Sequence, residues 1–113
     1  MSRTTFSGPV ASQNGFIGTT GATLTAVLKT SATIDFTSLS ANTTADSSDI
    51  TVTGAAVGDP VLVGVPATIA SGLVITGYVS AANTVKVRAA NVTASPIDPA
   101  SGSYTVTVIK ATA

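Results

Sequence analysis

From Asp49 to Lys110 the apolar residues of this 113-residue chain fall in short bursts. The central piece, Val57 to Val79, reads VGDPVLVGVPATIASGLVITGYV, with Val61-Leu62-Val63 and Leu73-Val74-Ile75 set apart by Gly, Pro and Ser. Bursts this short and this β-branched predict strands between tight turns rather than helices. Period-2 alternation then assigns faces. Leu73, Ile75 and Gly77 oppose Val74, Thr76 and Tyr78, while Val85 and Val87 point inward and Lys86 and Arg88 outward. Tyr104, Val106 and Val108 stand against Thr105, Thr107 and Ile109, and Ile50 and Val52 alternate with Thr51 and Thr53 before Gly54.

Upstream the pattern is looser. In the segment from Ala22 to Lys29, Leu24, Val27 and Leu28 also fit helical spacing, but the Thr content and the lack of a good cap favour a strand. Ile34 and Phe36 alternate with Thr33 and Asp35 as a second, half-buried strand, and Ser38 to Ser48 reads as a polar loop. Five to seven strands at a spacing of roughly 10 residues predict an all-β fold, an antiparallel β-sandwich or barrel-like (jelly-roll-like) domain over residues 22–113. Residues 1–21 read as an extended N-terminal arm. Its anchors Phe6, Val10, Phe16 and Ile17 are separated by the turn signals Gly8-Pro9 and Asn14-Gly15. Anchors so widely spaced build no core of their own, so they are expected to dock on the chain's own domain or on a neighbouring subunit. The competing reading is a free terminus.

Composition sharpens this picture. Apolar residues make up 44% of the chain but aromatics only 4%, with no Trp, so the core must be built from Val, Ile, Leu and Ala. A core of small side chains buries little area per residue, and self-association would supplement it. Charge is scarce and balanced: Arg3, Lys29, Lys86, Arg88 and Lys110 against Asp35, Asp46, Asp49, Asp59 and Asp98. Neutrality removes the electrostatic attraction that dominates nucleic-acid binding, so no nucleic-acid partner is expected. No membrane partner is expected either, because Gly and Pro interrupt the apolar span Gly54–Val79 that a bilayer helix would need unbroken. The amino terminus lacks the continuous apolar stretch of a secretory signal.

The chemistry is sparse. With no His, Cys or Glu, His-based triads and Cys/His zinc sites are excluded, and no cofactor or metal is expected. Asp46-Ser47-Ser48-Asp49 is a weak candidate for a hard cation, with a solvated loop as the simpler reading. Asp59, between Gly58 and Pro60, reads as a turn residue. Asn42-Thr43-Thr44 and Asn91-Val92-Thr93 match the glycosylation acceptor pattern, which is common by chance. Lys86 and Arg88 share an outward face that could meet an acidic partner or simply be solvated. Tyr78 and Tyr104 are the aromatics of the strand region open to a sugar-stacking role, though packing is the plainer one.

The opening Arg3-Thr4-Thr5-Phe6-Ser7-Gly8-Pro9-Val10, with Asn14-Gly15-Phe16 after it, resembles the start of small capsid decoration (cement) proteins of tailed bacteriophages. The rest is similar to a β module of phage virion proteins. The similarity rests on Ile34-Asp35-Phe36, Val52-Thr53-Gly54-Ala55-Ala56-Val57-Gly58-Asp59, Thr84 to Arg88, Asn91, and Asp98-Pro99 through Gly102 to Val108. The resemblance implies a non-enzymatic structural protein on the outer capsid surface of a virion. Its partners would be the major capsid protein and itself, as a homotrimer that clamps adjacent shell subunits. Phe6, Val10, Phe16 and Ile17 would then be partner-docking residues. The alternative is a phage tail, fibre or knob component, in which the same module serves adhesion.

Overall fold

The computed structural model describes residue 5, residues 7–9, residue 11, residues 13–17 and residues 22–112, with the backbone alone at 16 and 17. Every element among them is a strand. They are β1 (Phe16–Ile17), β2 (Thr23–Ile34), β3 (Thr44–Asp46), β4 (Ile50–Thr51), β5 (Val61–Gly64), β6 (Leu73–Ala81), β7 (Thr84–Asn91) and β8 (Gly102–Thr112). All pairings are antiparallel. The first sheet runs β1-β2-β8-β5. In the second, β7 is central, with β6 along one edge and β3 and β4 in succession along the other. This is the antiparallel sandwich that the alternation predicts.

Its core is aliphatic and comes from both inner faces. β7 contributes Val85, Val87 and Ala89, and β8 contributes Tyr104, Val106 and Val108, all fully buried. Ile34, Phe36, Leu39, Ile50, Val52, Ala55 and Val79 complete it. Each large apolar side chain so buried contributes about 1.5–3 kcal/mol. Phe36 meets Tyr104 edge-on, with centroids 5.9 Å apart and planes at 89°. The sheets close most tightly where β5 lies over β6. A Cβ on Gly77 would fall 2.7 Å from Val63 Cγ2 and 2.8 Å from Val61 Cγ1, so only glycine lets the layers approach there.

Two upstream expectations change. Residues 22–36 do not form two strands. β2 is one 12-residue strand, because β8 is nearly as long and pairs with it from Thr23↔Thr112 to Ile34↔Gly102. The supposed polar loop from Ser38 to Ser48 contains β3, and its Leu39 and Ser47 are buried. There β7 supplies an edge, and backbone pairing outweighs the low strand propensity of Ser, Asn and Asp. Ser47 sits between β3 and β4 and carries the ladder across the break. Its N–H donates to the Val87 carbonyl at 2.8 Å, and its hydroxyl accepts from the Val87 N–H at 3.0 Å. The same hydroxyl donates to the Ser48 carbonyl at 2.9 Å.

The two crossovers at one end of the sandwich are tied together. Leu39 and Ile97 exchange backbone hydrogen bonds of 2.7 and 2.9 Å. Asn91, buried at the end of β7, fastens the same region with its side-chain amide. At the other end the β6–β7 hairpin turns through Asn83, whose φ of 62° is left-handed. Its side-chain oxygen accepts from the Gly54 N–H at 2.8 Å, and its backbone bonds to Val52 and Ala55.

Candidate functional site

The outer face of the second sheet gathers four of the chain's ten charged side chains, Asp46, Asp49, Lys86 and Arg88. Register brings Asp46 of β3 opposite Arg88 of β7, and Lys86 of β7 opposite Tyr78 of β6. The Arg88 Nε and Nη2 atoms donate to the two Asp46 carboxylate oxygens at 2.6 and 3.1 Å. Tyr78 reaches across β7 and donates its hydroxyl proton to Asp46 at 2.6 Å, while the guanidinium lies 4.7 Å above its ring. Lys86 pairs with Asp49 at 3.5 Å. The Arg88 and Tyr78 hydrogen bonds hold the Asp46 carboxyl well below its ordinary value, at about 2. Asp46 in turn raises the Tyr78 hydroxyl, which therefore keeps its proton at neutral pH.

Chemically this platform is saturated. The nucleophile would be a phenol held protonated by its own hydrogen-bond acceptor. The base would be a carboxylate made weakly basic by a guanidinium. Of the weak cation candidates, Asp46 pairs with Arg88 and Asp49 with Lys86, and no group of three metal-ligating side chains forms among the described residues. The outward face of Lys86 and Arg88 is thus neither bare nor merely solvated: strand register pairs it internally. Asp59 behaves as the turn residue expected, accepting from the Ala56 N–H at 3.0 Å. It also binds Lys110 Nζ at 2.6 Å, and that ammonium, with the Ala56 bond, lowers its carboxyl.

Burial decides two further candidates, Tyr104 and Asn91. Tyr104 is fully enclosed and offers a ligand no surface; its hydroxyl has no partner among the described residues, and burial raises its pKa. Asn91 is 1% exposed. Its Nδ2 points at the carbonyls of Leu39, Ser40 and Ser95 at 3.1, 3.3 and 2.8 Å. Its Oδ1 accepts from the Thr93 N–H and hydroxyl at 2.9 and 2.7 Å. The folded chain therefore closes this acceptor motif to glycosylation, and Asn91 acts as a structural hub.

The outer face of the first sheet stays open. It carries Val27, Lys29, Ser31 and Thr33 of β2, Ser103, Thr105, Thr107 and Ile109 of β8, and Leu62 of β5. Val27 and Leu62 are 55% and 62% exposed, and Lys29 is the one charge in this set. Beside it, a cleft of about 320 Å³ separates Ala32–Thr37 from Ala45–Ile50, where the two sheets part.

Of the expected docking residues, Phe6 and Val10 lie outside the described residues, as do the side chains of Phe16 and Ile17. The backbones of Phe16 and Ile17 form β1, pairing with Leu24 and Thr23. The Asp46–Arg88–Tyr78 cluster went unforeseen, because it depends on a strand inside a polar segment. Among the described residues, no helix is long and apolar enough to cross a membrane. No protein-family model, curated protein or solved structure matches the chain.

Proposed function

We propose that this chain is a non-enzymatic structural protein of a phage virion. It binds the outside of the capsid as a decoration or cement protein and stabilises contacts between major capsid protein subunits, with copies of itself completing a trimer. The observation that carries this reading is the outer face of the first sheet. It is rich in Ser and Thr, studded with Val27, Leu62 and Ile109, and within its strands charged only at Lys29. A surface of this kind gains little from electrostatic steering and suits broad contact with a neighbour through van der Waals packing and hydroxyl hydrogen bonds. The resemblance of residues 3–16 to the start of cement proteins supports the same reading, with Phe6, Val10, Phe16 and Ile17 as anchors laid on a shell subunit. Strand addition would give such an arm affinity without charge.

The test is to locate the protein in intact particles and to compare full-length chain with one lacking residues 1–20. The full chain is expected on the shell lattice, and the truncated chain is expected to fold yet fail to decorate. Unchanged occupancy would refute the arm's role. Density confined to a single vertex would replace the capsid reading with a tail or fibre one.

A further inference from the structure

Among the described residues, strand β2 leaves one long edge unpaired. The Ile109 N–H donates to the Pro60 carbonyl, so residues of β8 in step with Ile109 turn their backbone groups toward β5. Their alternates, Val108, Val106 and Tyr104, bond to Leu28, Thr30 and Ala32 of β2. It follows that Val27, Lys29, Ser31 and Thr33 aim their N–H and C=O groups away from the sheet. β1 covers that side only at Thr23 and Leu24. Natural sheets blunt such edges with Pro, bulges, short strands or charges. From Ala26 to Ile34 this edge has no Pro, no Gly and a single Lys, and its bulge lies at the far end, between Leu24 and Ala26.

The charges make the edge self-complementary. The other described cations, Lys86, Arg88 and Lys110, pair with Asp49, Asp46 and Asp59. Lys29 and Asp35 make no ion pair among the described residues, and both are exposed on the same face, since burial alternates unbroken from Lys29 through Phe36. We propose that this edge is a self-association site: it pairs antiparallel with β2 of a second copy about a two-fold axis through Ala32. Lys29 of each chain then lies opposite Asp35 of the other, and Ser31 opposite Thr33. In this one register both charge pairs form while backbone groups that now face solvent meet one another. The second copy also comes to stand beside the cleft between Ala32–Thr37 and Ala45–Ile50, on the same side of the sandwich.

The other candidate occupant is the chain's own leader, which β1 directs along this edge. Pro9 has no N–H to give, and Gly15 has a φ of 83°, outside the strand region. Residues 5, 7–9, 11, 13 and 14 form no ladder with β2. A second copy therefore fits better. The contact is isologous and closes a dimer. It is separate from the threefold association proposed above and does not depend on the virion reading.

The test uses the isolated full-length chain and reads mass by light scattering over a dilution series. Wild type is expected to be a dimer at high concentration. Lys29→Asp and Asp35→Lys, each placing like charges in opposition twice, should weaken it roughly tenfold to a hundredfold. The double variant should restore it. Ser31→Pro removes an N–H that no strand among the described residues uses, and should give a monomer with an unchanged circular dichroism spectrum. A wild-type monomer, a trimer whose mass ignores the charge swaps, or a double variant no better than the singles would overturn the proposal. So would a dimer seen only after residues 1–15 are deleted, since the leader would then be the occupant of the edge.

Discussion

Replacing Asn91 by Asp changes one buried group from a donor into an acid and leaves its shape intact. In the native fold the Nδ2 atom faces three carbonyl oxygens at 2.8 to 3.3 Å. The protonated carboxyl of N91D can donate only one hydrogen bond there, so the variant starts with a loss of about 1–2 kcal/mol. Ionisation is worse, because the carboxylate would occupy a position only 1% exposed and ringed by oxygens. Its folded pKa is therefore raised far above the unfolded value of about 3.9. The sign follows from linkage: above about pH 4 the unfolded chain loses this proton while the folded chain keeps it, so stability falls as pH rises. The slope is about 1.4 kcal/mol per pH unit, or about 4 kcal/mol by pH 7. A domain of this size commands about 5–15 kcal/mol in all, so N91D should be close to unfolding at neutral pH and recover in mild acid. Urea titrations followed by circular dichroism would read this, with Asn91→Leu as the control that loses the bonds without gaining a charge. N91L should show a pH-independent deficit. An N91D variant as stable as wild type at neutral pH, or one that tracks N91L at every pH, would refute the reasoning.

Two further predictions concern the second sheet. Ser47→Ala leaves the buried Val87 N–H without its acceptor and should cost about 1–3 kcal/mol in urea unfolding, with faster hydrogen exchange at Val87; unchanged values would show that the hydroxyl does not bridge the ladder. Arg88→Gln should move the Asp46 carboxyl from about 2 back toward its ordinary 3.8, read by carboxyl NMR titration. Because the native carboxyl titrates below the unfolded one, its pairing stabilises the fold above about pH 4, and that support is lost as pH falls toward 2. R88Q should flatten this acid limb, and an unmoved Asp46 titration would rule out the guanidinium as the cause.

Much of the sandwich was legible because burial on one face leaves a period-2 trace. Val85 and Val87, and Tyr104, Val106 and Val108, each mark their inner face directly. The trace fades where a strand is held by its backbone. β3 carries Thr44, Ala45 and Asp46, of which none is fully buried, so its composition is that of a loop. The cluster built on it was illegible for the same reason: Asp46, Tyr78 and Arg88 lie 10 to 42 positions apart, and only register brings them together.

The amino-acid order by itself determined an all-β chain with a small-residue core, little charge and no His, Cys or Glu for chemistry, because each of these is a property of local pattern or of composition. Tertiary structure alone decided which edges find partners, which charges neutralise one another and which polar groups go inside. Asn91 became a hub and Lys29 stayed without an ion pair among the described residues for one physical reason. Hydrogen bonds and ion pairs act over about 3–4 Å, and which groups come that close is set by the packing of distant segments.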